Sequence, residues 1–314
     1  MVKSLLAKGY EPTVIDNLST GNLKVLPRNV AFYDCDISND AKISDILLEN
    51  NFCAVFHFAG SIVVSESIEN PMKYYDNNTF KTLKFIETCL NHNVTKFIFS
   101  STAAVYGYGT NSKLNEVTRK DPINPYGRSK SMIEDILRDL EKSNRLNYVI
   151  LRYFNVAGAE PDGTLGPISK NATHLIKVAS EVALGRRPFL EIYGDDYDTQ
   201  DGSCVRDFIH IKDLINAHLK SLEYLLSNKG SEIFNCGYGE GFSVFEIVKV
   251  FENILGKNLS TKIVDRRKGD PPYLVADNKK IINELNWDPE FNNINKIIEH
   301  SLKWEKTLKN FLSA

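Results

Sequence analysis

The chain has 314 residues, 42% of them hydrophobic and 25% charged, enough to bury a large core without covalent staples and the ordinary profile of a soluble enzyme of more than one domain. Its formal net charge of −2 gives no sign of a nucleic-acid binder, which would need a basic stripe. Five scattered cysteines (Cys35, Cys53, Cys89, Cys204 and Cys236) without a CxxC pair argue against disulfide frameworks and zinc sites, and the absence of any long apolar run or apolar leader points to a cytoplasmic protein with no membrane contact.

Met1–Lys8 reads as a short helix stopped by Gly9, a typical C-terminal glycine. Strands follow at Pro12–Asp16, Val30–Cys35, Cys53–Ala59, Lys96–Ser101 and Tyr148–Tyr153, alternating with helices at Ala41–Asn50, Pro71–Asn91 and Pro125–Lys142. Runs such as Val55, Phe56 and Phe58, or Phe97, Ile98 and Phe99, are apolar on both faces, as strands buried inside a parallel sheet are. Strand–helix alternation with short connections predicts an α/β fold with a doubly wound parallel sheet over residues 1–155. The segment Ala157–Asn171 is loop-like, then come a helix at Asn171–Leu184, a strand at Leu190–Tyr193 and an acidic loop at Gly194–Arg206. Helices at Lys212–Leu226, Ser243–Leu255 and Ile294–Leu308, with two short strands, complete a smaller lobe over 156–314. Part of 207–236 is expected to pack back on the first domain. In a dinucleotide fold, Met1–Lys8 would be the tail of the first crossover helix. The first strand and the glycine-rich phosphate turn are therefore missing from the expected pattern.

Asp16 closes an apolar strand and is followed by Asn17. A carboxylate there accepts bonds from an adenosine ribose and repels a 2′-phosphate, favouring NAD over NADP, though a turn aspartate has the same look. Asp36-Ile37 has the same standing at the next strand end, as an adenine-edge contact or a turn. Tyr126 and Lys130 form a YxxxK pair on one face of a predicted helix. A phenol with a reference pKa of about 10 needs a nearby cation to act as a base, which a lysine one turn away supplies. With 14 tyrosines, on the order of one such spacing arises by chance. The pair gains weight from Ser100-Ser101-Thr102, which places hydroxyls at a strand's C-terminal end, where α/β proteins bind ligands.

His57-Phe58-Ala59-Gly60, Tyr74-Tyr75-Asp76-Asn77-Asn78, the run Phe97 to Gly107, Leu151-Arg152-Tyr153-Phe154-Asn155, Gly202 to His210 and Arg266 to Asp270 together resemble the UDP-glucose 4-epimerases of the extended short-chain dehydrogenase/reductase family. The resemblance runs in order along essentially the whole chain. It implies a Rossmann-like fold that lacks its first strand here, bound NAD, a UDP-hexose substrate and a homodimer built on the helices at 71–91 and 125–142. It further implies that Thr102, Tyr126 and Lys130 handle the proton. Asp16, Asn17, Asp36, Ile37, Phe58, Ala59, Gly60, Asn77 and Phe154 would line the cofactor, with Thr102, Tyr126 and Lys130. Asn155, Arg206, Arg267, Asp270 and Leu274 would hold the substrate, with the forked arginines on its diphosphate.

The chemistry implied is hydride lent from C4 to NAD and returned to the other face of a 4-keto sugar. Three departures stand out. With the glycine turn missing from the pattern, the expectation is either a natural chain that starts upstream or a shortened relic, and weak NAD binding by the 314 residues alone. Ile62 replaces a lysine found in some relatives. Leu274, with Tyr273 beside it, occupies a gate that is often tyrosine, which would admit N-acetylhexosamines. A 4,6-dehydratase would need acid and base where this chain has Ala103-Ala104. A cofactor-free UDP-sugar-binding protein is the alternative of a different class.

Overall fold

The computed structural model describes residues 1–108, 112–169 and 172–313. In chain order the elements are α1 (Val2–Ala7), β1 (Thr13–Asp16), β2 (Ala31–Asp34), α2 (Asp40–Glu49), β3 (Val55–His57), α3 (Val64–Glu69), α4 (Pro71–Tyr74) and α5 (Lys81–Asn91). They continue with β4 (Lys96–Thr102), α6 (Pro125–Lys142), β5 (Asn147–Tyr153), β6 (Asn155–Ala157), α7 (Leu175–Ala183), β7 (Leu190–Tyr193), β8 (Val205–His210) and α8 (Ile211–Leu226). The last are β9 (Glu232–Cys236), β10 (Gly241–Ser243), α9 (Val244–Leu255), β11 (Thr261–Val264), β12 (Tyr273–Leu274), α10 (Lys279–Leu285) and α11 (Ile294–Ser313).

The chain divides into two compact units. The first comprises Met1–Val105, Pro122–Arg152 and Ala217–Phe234, and the second Tyr106–Asp121, Tyr153–Asn216 and Asn235–Ala314. In the first unit β1 pairs with β2 in parallel, and a separate sheet runs β3-β4-β5-β9 with β3 parallel to β4. Ile43 and Leu47 of α2, Phe85 and Cys89 of α5, and Ile133 and Leu137 of α6 repeat at helical spacing. They bury against Phe97 and Phe99 of β4 and Ile150 of β5. Each such side chain contributes roughly 1.5–3 kcal/mol on leaving water. Ile15 of β1 and Val55 of β3 pack on the same cluster. The fold is the α/β, Rossmann-like arrangement that the alternation predicts.

In the second unit β8 is central. It pairs antiparallel with β10 and parallel with β12 and β6, while β7 and β11 form a separate parallel pair. After the acidic loop there are thus five strands rather than two. The extra ones escape sequence reading because β10 and β12 are too short to show a period, and β8 buries Arg206 and Asp207 in place of apolar residues.

Two helices also differ from expectation. The stretch 71–91 is not one α-helix: Tyr75–Phe80 is a π-helical segment between α4 and α5. Within it the consecutive Asn77 and Asn78 both bond Ser61. The helix expected from Asn171 begins at Leu175; Asn171 itself lies outside the described residues. Among the described residues no helix is long and apolar enough to cross a membrane.

Candidate active site

In the first unit, the carboxyl ends of parallel strands carry the residues singled out by sequence, as sheet geometry requires of an α/β site. Thr102 ends β4, Phe58-Ala59-Gly60 follow β3, and Asp16 and Asp36 stand at and just beyond the ends of β1 and β2. The helix α6 opens there because Asn124 accepts a bond from the Gly127 amide at 2.8 Å and Pro125 occupies the first turn. Tyr126 therefore sits at the head of the helix and Lys130 one turn down the same face. Gly127 is required by close approach: a Cβ would stand 2.5 Å from the Ala104 carbonyl oxygen. That contact holds the helix head against the chain just past Thr102.

The side chains of Thr102 and Tyr126 are neighbours. Burial raises the Tyr126 pKa, and the neighbouring Thr102 hydroxyl opposes that shift. Lys130 is buried, and its ammonium lies 4.9 Å from the centroid of the Phe99 ring. Burial lowers its pKa to about 8, so at neutral pH it is a cation held at a cost in desolvation. Its Nζ borders Gly60, where a Cβ would come within 3.3 Å of it and 3.1 Å of Asn78 Oδ1. A buried cation at the strand ends, beside a glycine that leaves the backbone bare, suits the ribose hydroxyls of a dinucleotide.

Sequence reasoning picked Asn77 and passed over its neighbour. Asn77 bonds the Ser61 hydroxyl at 3.1 Å. Asn78 does more: its Oδ1 accepts from the Ser61 amide at 2.7 Å, and its Nδ2 donates to the Ser61 carbonyl and to Ser129 Oγ. Ser129 lies between Tyr126 and Lys130, and donates to the Tyr126 carbonyl at 2.8 Å. Tyr74 was also missed; it is fully buried and meets Tyr126 edge-on with ring centroids 6.4 Å apart. A pair of amides, and a tyrosine, inside an otherwise amphipathic helix were the available signals.

At the other strand pair, Asp16 accepts from the Leu18 amide at 2.7 Å and so closes a turn after β1. Asp36 is more heavily engaged: Oδ1 accepts from Ser38 twice and Oδ2 from Asn17 and Lys81. Burial acts to raise its pKa, but these bonds prevail and hold it well below the usual carboxylate range. Ile37 packs against the core cluster. Phe58 is half exposed, with its ring 5.0 Å from that of His218. Ile62 is exposed.

In the second unit, Arg206 lies on β8 opposite Phe242 of β10 and Leu274 of β12. It is buried, and its Nη2 donates to the Asp270 carboxylate and to the Pro271 carbonyl at 2.6 Å. Two residues assigned to different parts of a substrate are thus paired with each other. Arg267 lies over the Tyr193 ring, 4.0 Å from its centroid, and its charge adds to burial in lowering the pKa of His174. Neither Tyr193 nor His174 was anticipated. Asn155 sits on β6 opposite Phe208, and Phe154 is buried with its amide bonded to the Cys236 carbonyl. Leu274 is buried in β12.

Residues 1–237 match the NAD dependent epimerase/dehydratase family. A UDP-glucose 4-epimerase of Azospirillum brasilense is 44% identical over 309 residues, spanning 98% of this chain and 89% of that protein. A solved UDP-glucose 4-epimerase from Brucella ovis in complex with NAD superposes with a TM-score of 0.91 at 40% identity, over 96% of this chain and 92% of that one. The structure of a UDP-Glc/GlcNAc 4-epimerase from Campylobacter jejuni is similar at 45% identity, with a TM-score of 0.83 over 97% and 94% of the two chains.

Proposed function

The chain belongs to the NAD dependent epimerase/dehydratase family, and from that membership we propose that it is an NAD-dependent enzyme that interconverts UDP-glucose and UDP-galactose at C4. The observation that carries the reading is the assembly of Thr102, Tyr126 and the buried Lys130 at the carboxyl ends of β3 and β4. A protein that only bound UDP-sugars would have no use for a desolvated ammonium behind a phenol.

NAD would be held by Lys130 and Tyr126 at its nicotinamide ribose, by Phe58, Ala59, Gly60, Asn77 and Phe154 along its length, and by Asp16, Asn17, Asp36 and Ile37 at its adenosine end. When bound, it supplies a reversible hydride acceptor for C4 of the sugar. The residues of the chain manage the proton. Tyr126 takes it from the 4-hydroxyl and returns it, with the neighbouring Thr102 hydroxyl as a relay. Lys130 stabilises the phenolate that burial alone would disfavour. Ala103 and Ala104 offer no acid or base next to Thr102, so no proton is moved at C5 or C6 and water is not eliminated. Arg206 and Arg267 would hold the diphosphate, Asn155 the adjoining region and Asp270 the uridine ribose. These anchors keep UDP in place while the keto sugar turns over.

A second activity, on UDP-GlcNAc and UDP-GalNAc, is supported by Leu274, which leaves the gate without a phenol, and by the 45% identity to an enzyme described as a UDP-Glc/GlcNAc 4-epimerase. Met72, Phe80 and Leu83 on the 71–91 stretch and Met132 on α6 are exposed apolar side chains that a homodimer would cover; light scattering of the purified protein reads this directly. The central test is incubation with NAD and UDP-galactose deuterated at C4. UDP-glucose that retains the deuterium supports the reading, and absence of interconversion at saturating NAD overturns it.

A further inference from the structure

We propose that the buried pair Glu134–Arg152, with Ser101, is a positioning device that sets the height of α6 against β4 and thereby the alignment of Tyr126 with Thr102. The proposal rests on the epimerase reading but concerns residues that touch neither substrate nor cofactor.

The Glu134 carboxylate is a three-way junction. Its Oε1 accepts from Ser101 Oγ at 2.6 Å and from Arg152 Nε at 2.9 Å, and its Oε2 from Arg152 Nη2 at 2.6 Å. Glu134 and Arg152 have no exposed surface, and Ser101 is 2% exposed. The three side chains come from α6, β5 and β4. Ser101 immediately precedes Thr102. Glu134 lies one turn beyond Lys130 and two beyond Tyr126, on the same side of the helix. One carboxylate thus ties the strand that carries the relay hydroxyl to the helix that carries the phenol and the ammonium.

Energetics alone do not explain such a pair. The cost of desolvating two charges is comparable to what their attraction returns, and apolar residues of similar volume often replace buried pairs without loss of stability. What apolar packing lacks is direction. A forked guanidinium on a carboxylate fixes distance and angle, whereas greasy side chains let a helix slide or roll by a fraction of an ångström. Because a helix is stiff, such a shift reaches Tyr126 undiminished. Proton transfer between Thr102 and Tyr126 needs heavy atoms at hydrogen-bond distance, and a misplacement of about 1 Å costs on the order of 100-fold in rate.

The experiment uses the double variant Glu134→Leu/Arg152→Met in the full chain, with Ser101→Ala as a milder companion. Thermal midpoints, kcat and KM for UDP-galactose, and the titration of Tyr126 by 13Cζ-tyrosine NMR (assigned with Tyr126→Phe) are measured together. The expected result is a folded double variant with kcat lowered about 100-fold, KM little changed, and the Tyr126 titration displaced to higher pH because Thr102 and Lys130 no longer meet it squarely. Ser101→Ala should show a smaller loss of kcat in the same direction. A folded double variant with wild-type kcat and an unmoved Tyr126 titration overturns the proposal. If the double variant does not fold, an unaltered kcat in Ser101→Ala overturns it, and a selective loss of kcat upholds it. If the wild-type chain does not interconvert the UDP-hexoses, it is the functional reading that fails; the NMR titration then still decides the positioning role.

Discussion

Arg206 donates through Nη2 to the carboxylate of Asp270, so the candidate diphosphate ligand and the candidate ribose ligand hold each other in place. Arg206 also donates to three backbone carbonyls, those of Val205, Pro271 and Pro272. The guanidinium is therefore anchored to the loop that precedes β12. Asp270→Asn keeps the shape and removes the charge. A charge-assisted bond is worth about 1.5 kcal/mol more than its neutral counterpart, so KM for UDP-galactose should rise about tenfold with kcat much less affected. Steady-state kinetics at saturating NAD checks this, and a fall in kcat at constant KM would argue for a different role.

Tyr126→Phe removes the proton carrier but keeps the ring that packs edge-on against Tyr74. The protein should fold with an unchanged thermal midpoint. Its kcat should drop by about 10²–10⁴, the usual worth of a positioned acid or base. A variant with more than a tenth of wild-type kcat would place the proton transfer elsewhere.

Gly127→Ala tests the contact between the helix head and the chain after Thr102. The new methyl group would meet the Ala104 carbonyl oxygen at 2.5 Å, and backbone cannot swing aside as a side-chain tip does. We expect α6 to be pushed off, with a stability loss on the order of 1–3 kcal/mol and kcat reduced tenfold or more. Urea unfolding and turnover, measured on the same preparation, separate the two effects.

Stability should depend on pH through buried histidines. Burial, with help from Lys130, lowers the His57 pKa to about 3. Burial, with His300 and Lys212, does the same to His210. The Lys212 amide donates to His210 Nδ1 at 3.1 Å, so that nitrogen carries no proton and Nε2–H faces His300 Nδ1, also at 3.1 Å. Both folded pKa values lie below the unfolded value of about 6.5. Each neutral imidazole thus contributes stability that is present above pH 6.5 and lost as pH falls from there toward 3. The loss per histidine is about 1.4 kcal/mol per pH unit. Asp207 works in the opposite sense between about 4 and 6, because burial raises its pKa to about 6 against the bonds from the Tyr238, Gly239 and Ala276 amides. His210→Gln should therefore lose about 2 kcal/mol less than the wild type between pH 7 and pH 5. Urea titrations at the two pH values measure it, and equal losses would show that His210 does not titrate on unfolding in this range.

Leu274→Tyr places a phenol at the proposed gate. Turnover of UDP-GlcNAc should fall at least about tenfold relative to UDP-galactose, within the discrimination that one pocket residue supplies. Competing the two substrates in one assay reads the ratio directly, and an unchanged ratio would remove Leu274 from specificity.

Much of this was legible in the sequence. Strand–helix alternation and the doubly apolar runs at Val55–Phe58 and Phe97–Phe99 determined the α/β class, because a buried parallel strand needs apolar residues on both faces. Pro125 marked the head of α6, so the YxxxK spacing could be placed at the opening of a helix. Those signals are local, and local chemistry survives in one dimension.

Only the tertiary structure decided the rest. The π segment at Tyr75–Phe80 carries Asn77 and Asn78 to Ser61, a partner sixteen and seventeen residues away. Arg206 and Asp270 are 64 residues apart in sequence, and Glu134 with Ser101 33. Nothing in either neighbourhood reveals which charges will be buried together. Burial turns an ordinary glutamate, lysine or histidine into a group that must find a partner or change its protonation, and burial is a property of the folded chain.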